Sequence, residues 1–198
     1  LAQIEHPNVV KALEVGVDGE THFFSMSFVP GCDLKRRLAA GEQFAEAEAL
    51  RIALGVAEAL KHTWERHRLL HRDIKPANII VTPEGEVKLM DLGISKYATK
   101  RDASLTLAGM MVGSPLYISP EQARAEPDLD FRADMYSLGA TLYHLLTGQP
   151  SYDHENAVAI IACHLSDPVP DPRQRRGRRR LVRRAGPAVE HGLALATP

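Results

Sequence analysis

One stretch constrains this chain more than any other: His71-Arg72-Asp73-Ile74-Lys75-Pro76-Ala77-Asn78, followed by Asp91-Leu92-Gly93 thirteen residues after Asn78. Between them lie Ile79-Ile80-Val81 and Val87-Lys88-Leu89-Met90, two short apolar or β-branched runs around Pro83-Glu84-Gly85. Such runs, broken by turn residues, read as a β-hairpin. Its arms are of similar length, so it brings Asp91 back near Asn78. Any fold for this chain must therefore hold Asp73, Lys75, Asn78 and Asp91 on two adjacent loops. The oxygens of Asn78 and Asp91 suit a hard cation such as Mg²⁺. With a carboxylate to orient a hydroxyl and a lysine to offset phosphate charge, they are the groups that phosphoryl transfer asks for.

The rest of the chain reads as support for these loops. His6-Pro7 ends a last helical turn at Leu1 to Ile4, because proline disfavours helix in the residue before it. Asn8 to Val15 reads as a strand, Asp18-Gly19 as a hairpin turn, and Thr21 to Val29 as the return strand. Asp33 can cap a short helix from Leu34 to Ala40, closed by Gly41. From Ala45 to His67 the apolar residues Leu50, Leu54, Ala57, Leu60 and Trp64 recur at helical spacing and are expected to form the core face. Residues 94–118 show no sustained period. A loop of that length is uncommon inside a compact domain and usually has a function. Pro120 suits the first turn of a short helix to Arg124. Ala133 to Thr147 reads as an apolar, buried helix ended by Gly148, and Asn156 to Leu165 as a further helix.

A chain of 198 residues is long enough for one sizeable core. No window approaches 18 uninterrupted apolar residues, so no membrane span is expected. There is no basic-then-apolar leader, and because the chain opens on Leu1 its true start is expected to lie upstream. Cys32 and Cys163 form no metal-like cluster and are expected to be reduced thiols in a cytoplasmic protein. His67, His144 and His164 have no partners at ligand spacing and read as packed or surface histidines. The net charge of -1 hides a split: 8 of the 24 basic residues but only 1 of the 25 acidic ones fall in residues 173–198.

In five motifs the chain resembles the eukaryotic-type Ser/Thr protein kinases of bacteria. These are His-Pro-Asn-Val-Val at 6–10, the His-Arg-Asp loop at 71–78, Asp-Leu-Gly at 91–93, Gly-Ser-Pro-Leu-Tyr-Ile-Ser-Pro-Glu-Gln at 113–122, and Asp-Met-Tyr-Ser-Leu-Gly at 134–139. Their order and spacing make the match specific. The resemblance implies an α+β kinase-like fold over residues 1–172. Residues 1–29 would be a two-strand remnant of the small lobe with the hinge, and 30–172 a mostly helical large lobe. It implies ATP and Mg²⁺ as cofactors and Ser/Thr hydroxyls of proteins as substrates, with a second copy as partner in autophosphorylation.

The same resemblance assigns the residues. Asp73 would be the catalytic base, Lys75 the γ-phosphate lysine, and Asn78 and Asp91 the metal ligands. Met26 aligns with the gatekeeper. Ser27, Phe28 and Val29 align with the hinge that bonds adenine through its backbone. Ile80 would floor the adenine, and Asp33 falls near the ribose. Ser114 would seat the substrate hydroxyl between Asp73 and Lys75. Thr106 and Ser104 are candidate phosphoacceptors for a pairing with Arg72. His71 and Leu92 would stack on each other, Glu121 would pair with a downstream arginine, and Asp134 would accept N–H bonds from the His71–Arg72 turn.

The family's Gly-rich loop, its strand lysine and its helix glutamate have no counterpart in these residues. The chain is therefore expected to be a fragment, inactive or nearly so by itself, of a parent that could be anchored in a membrane through a region not included here. Family likeness is expected to stop at Pro172, where an arginine run begins. That run reads as a shifted reading frame of GC-rich codons, as a solvated disordered tail, or as a site for nucleic acid or anionic lipid; no nucleic acid is expected as a partner. The competing function class is non-catalytic: a pseudokinase-like scaffold or a basic-tailed nucleic-acid-binding module.

Overall fold

The Asp18-Gly19 signal closes a hairpin between β1 (Ala12–Asp18) and β2 (Thr21–Met26), with Gly19 at φ +60° and Asp18 opposite Thr21. In the computed structural model the described residues are 4–19, 21–92 and 114–175. The expected turn at Leu1, the phosphoacceptors Ser104 and Thr106, and most of the arginine run lie outside them.

Two strand boundaries differ from expectation, for one reason. Asn8 to Val10 do not extend β1. Instead Leu89 N–H donates to Asn8 C=O (2.8 Å) and Val10 N–H to Leu89 C=O (2.9 Å), so this segment pairs with a strand of the large lobe. The last rung of the hairpin is then Ser27 N–H to Lys11 C=O at 2.9 Å. Beyond it β2 has no partner left, and the chain runs on irregularly with Phe28 exposed.

The large lobe begins at β3 (Cys32–Asp33), which joins β4 (Ile79–Val81) and β5 (Val87–Leu89) in an antiparallel sheet of order β3-β4-β5. Asp33 caps α1 (Leu34–Ala39) by accepting the Arg36 N–H at 2.9 Å. Gly31, at φ +135°, is needed before β3, since a Cβ there would stand 2.5 Å from the Val81 carbonyl oxygen. The long helix α2 (Glu46–His67) is followed by the motif loop, a 3-10 turn at Pro76–Asn78, and the β4–β5 hairpin. After a second 3-10 turn, Pro115–Tyr117, come α3 (Pro120–Ala123), α4 (Phe131–Thr147) and α5 (Ala157–Ser166). Asp130 and Asn156 cap α4 and α5 with their side chains. The architecture is thus a two-strand small-lobe portion on a mostly helical large lobe that carries its own small sheet.

The core face of α2 is the expected one only in part: Leu60 is buried and Ala57 packs against the core. Leu50 and Leu54 are half or more exposed, whereas Ala49, Ile52, Gly55, Val56, Ala59, Leu60 and Thr63 are buried. The reason is close approach: α2 packs on both α4 and β5, and the row of smaller residues allows it. A Cβ at Gly55 would come within 3.1 Å of Val87 Cβ on β5 and of Asn8 Nδ2. A larger side chain at Gly55 would press on β5. On α4, Leu138 and Leu145 enter the core, but Met135 does not.

Ile52→Ala is expected to cost about 2–5 kcal/mol of stability through the cavity it leaves. Leu54→Ala is expected to change it by about 0.5 kcal/mol or less. Urea unfolding of the two variants checks the assignment of the face.

Candidate active site

The loop that carries Asp73 is held from below by a carboxylate in α4. Asp134 is buried, and its two oxygens accept the N–H groups of His71 (2.8 Å) and Arg72 (2.7 Å). Burial pushes its carboxyl above the ordinary range, against the two N–H donors that stabilise the charged form. Arg72 needs this support, because it sits at φ +67°, a left-handed conformation unfavourable for a side chain with a Cβ. Asp91 is a second such residue, at φ +60°. Strained non-glycine residues of this kind cluster at functional sites.

His71 locks the loop from the other side. Its ring is buried, with Nε2 2.7 Å from the Met90 carbonyl oxygen, while Nδ1 accepts the Asp73 N–H at 3.3 Å. Those two bonds fit the Nε2–H tautomer. His71 thus ties the loop to the end of β5, next to Asp91. Leu92 is buried in the hydrophobic core.

The sequence-predicted groups converge around Asp73. Lys75 Nζ lies 2.6 Å from Asp73 Oδ2, and both side chains remain partly exposed. Asn78 Nδ2 donates to the Asp73 carbonyl (2.8 Å) and to Asp73 Oδ2 (3.2 Å). With its nitrogen so engaged, the Asn78 amide has its oxygen as the atom that could take a cation. The Asn78 carbonyl accepts the Met90 N–H at 2.9 Å, which places Asn78 beside the Asp91 loop. An amide oxygen and a carboxylate form an all-oxygen pair suited to Mg²⁺, which keeps waters and substrate phosphates as its remaining ligands. No cluster of three or more His, Cys, Asp or Glu side chains able to hold a metal ion is found among the described residues.

The other predicted residues lie as follows. Met26 and Asp91 line one small apolar cleft together with Ile4, Val9 and Phe24. The Ser27 N–H is spent on the Lys11 carbonyl. Ile80 lies on β4 opposite Asp33. The Asp33 carboxylate is engaged in capping α1 and in an ion pair with Arg36 at 3.2 Å. Ser114 shares the wall of a small cavity with Arg72, Asp73, Ile74 and Tyr117. Glu121 opens α3 and makes no ion pair among the described residues. Arg175, in the arginine run, donates to the Pro150 carbonyl at 2.9 Å and lies over the Tyr143 ring.

Two contacts next to the site were not anticipated. Tyr117 Oη lies 2.7 Å from His144 Nδ1, with the direction of the bond set by the imidazole tautomer, and burial pushes the Tyr117 hydroxyl well above the usual phenol range. Gln122 donates from Nε2 to the Arg72 carbonyl at 2.8 Å. The Ser119-Pro-Glu-Gln spacing is a capping-box signature that could have singled out Gln122 as a cap. Nothing local could have shown its reach to Arg72.

The protein kinase domain model matches residues 1–174 of this chain. The probable serine/threonine-protein kinase PknB of Lactococcus lactis is 36% identical over 170 residues, which cover 86% of this chain and 26% of that protein. The serine/threonine-protein kinase PknB of Mycolicibacterium smegmatis is 35% identical over 178 residues, 87% of this chain and 28% of that protein. The serine/threonine-protein kinase pkn3 of Myxococcus xanthus is 36% identical over 196 residues, 96% of this chain and 35% of that protein. The last match extends into the arginine-rich end. The chain spans about a quarter to a third of the length of these curated relatives.

Asp134→Asn turns an amide nitrogen toward one of the two loop N–H groups and leaves that donor unsatisfied. It is expected to cost about 1–3 kcal/mol of stability, read as a lowered midpoint in urea unfolding. Asp128→Asn, an exposed change on the loop before α4, is expected to leave that midpoint in place.

Proposed function

The chain belongs to the protein kinase domain family, and on that premise we propose that the protein carrying it transfers the γ-phosphate of ATP to serine and threonine hydroxyls of proteins, the chain being inactive or nearly so by itself. The observation that carries this reading is the Asp73–Lys75–Asn78 constellation on a loop pinned by Asp134. Asp73 is the group that orients the attacking hydroxyl and takes its proton as the oxygen bonds to phosphorus and the β–γ bridging oxygen departs with ADP. Lys75, already 2.6 Å from Asp73, offsets negative charge on the phosphoryl oxygens while holding the carboxylate in place. Ser114, which shares a cavity wall with Asp73, is the residue proposed to seat the acceptor hydroxyl.

Asn78 and Asp91 are the residues that would hold a divalent cation. When bound, Mg²⁺ supplies charge neutralisation on the phosphates of ATP. On the nucleotide side, Met26, the Ser27 carbonyl, the Val29 backbone and Ile80 are the proposed adenine contacts, with Asp33 toward the ribose. Arg72, whose charge also acts on Asp134, is proposed to pair with phosphate on Thr106 or Ser104. His71, Leu92, Glu121 and Asp134 are proposed as structural support. No helix among the described residues is long and apolar enough to cross a membrane.

Incubation of the protein carrying this chain with γ-labelled ATP, Mg²⁺ and Ser/Thr peptides tests the reading. Transfer to serine or threonine is expected, with phosphate also found on Thr106 or Ser104 by mass spectrometry. Asp73→Asn is expected to lower transfer about 10²–10⁴-fold, the usual worth of a positioned base, while leaving ATP affinity nearly unchanged. Asp91→Ala is expected to abolish the Mg²⁺ dependence of nucleotide binding. Labelling confined to tyrosine, or equal transfer by Asp73→Asn, would overturn the proposal.

A further inference from the structure

The peptide bond between Arg72 and Asp73 is gripped at both ends by side chains. At its N–H end, Asp73 donates to His71 Nδ1 (3.3 Å); at its C=O end, Arg72 accepts from Gln122 Nε2 (2.8 Å). The preceding N–H, that of Arg72, is held by Asp134. The left-handed turn at Arg72 is therefore fixed by three side chains, from the loop itself, from α4 and from α3. This peptide plane sets the direction in which the Asp73 side chain leaves the backbone.

The structure assigns Gln122 as a positioning residue for Asp73, an inference that rests on the kinase reading for its catalytic meaning but not for its geometry. The chemistry explains why the residue is a glutamine. Its Oε1 accepts the Ser119 N–H (3.3 Å) while its backbone N–H donates to Ser119 Oγ (3.3 Å), a reciprocal capping box. That leaves Nε2 to reach out of α3 to Arg72. Both ends of the amide are in use. A glutamate would keep the cap but lose the donor, and would set a negative charge against the Arg72 carbonyl. An asparagine would be one methylene too short.

The link also has a direction. The 3-10 turn Pro115–Tyr117, which follows Ser114, leads straight into α3. Tyr117 anchors that turn to His144 of α4, and Ser119 at the start of α3 is fully buried. Gln122 thus couples the segment that seats the acceptor hydroxyl to the loop that carries the base. Displacing α3 displaces the Arg72 carbonyl. Holding reactive groups to fractions of an ångström is where such contacts act, since a misplacement of about 1 Å can cost about 10²-fold in rate.

Three variants separate positioning from capping: Gln122→Glu keeps the cap and loses the donor, Ser119→Ala weakens the cap and keeps the donor, and Gln122→Met drops both without adding charge. In the full chain, amide hydrogen exchange at Asp73 is expected to speed up about tenfold or more in Gln122→Glu and Gln122→Met, on the scale of local opening, and to change little in Ser119→Ala. In the transfer assay the same two variants are expected to lower kcat about tenfold or more with KM for ATP unchanged. Unaltered Asp73 exchange in both Gln122 variants, or equal acceleration in Ser119→Ala, would overturn the inference. Absence of transfer by the protein carrying this chain, together with the expected exchange pattern, would overturn the kinase reading and leave the grip on Arg72 standing.

Discussion

A single buried carboxylate organises the functional half of this molecule. Asp134, at the start of α4, accepts the N–H groups of His71 and Arg72, more than sixty residues earlier in the chain. Removing a carboxylate from water is costly, and here two short, charge-assisted hydrogen bonds offset that cost. Burial still raises the Asp134 carboxyl above the ordinary range, against those two bonds. The same two bonds hold Arg72 in a conformation that its side chain resists. Without them the loop has no reason to present Asp73, Lys75 and Asn78 together.

Around that bond the fold works as a set of clamps on one loop. His71 ties it to the end of β5, Gln122 ties it to α3, and Asn78 closes it on itself through Asp73. The hydrophobic core supplies the rigidity behind these clamps. Ile74, in the middle of the loop, is buried among Ile79, Leu89 and the residues of α2 and α4. The loop is thus polar toward the cleft and apolar toward the core, and neither half would stay in place alone.

Legibility from sequence was uneven, and the pattern has a physical cause. The hairpin turn at Gly19, the caps at Asp33 and Asn156, the β4–β5 hairpin and the left-handed stop at Gly148 all follow from interactions within a few residues. The core face of α2 did not, because two helical rows of apolar residues compete. The larger one, with Leu50 and Leu54, lost to the smaller one, which lets β5 and α4 approach. Likewise Asn8–Val10 had the composition of a strand, but a strand takes the partner that is in reach, and that was Leu89 rather than β2. In the site, Asp73, Lys75 and Asn78 stand out in one motif and Asp91 in a second, whereas the role of Asp134 was legible only through the family resemblance.

The sequence by itself determined the chemistry: which loop bears a carboxylate, a lysine and an amide, and which short elements flank it, since turn chemistry, capping and spacing are local. Only the tertiary structure decided how that chemistry is aimed. The bonds from Asp134, His71 and Gln122 to the Arg72–Asp73 region join segments as much as 62 residues apart. Such bonds depend on which surfaces come together when α2, α4 and the sheet pack. No local pattern encodes that choice, because it is made by the shapes of side chains that meet only in the folded state.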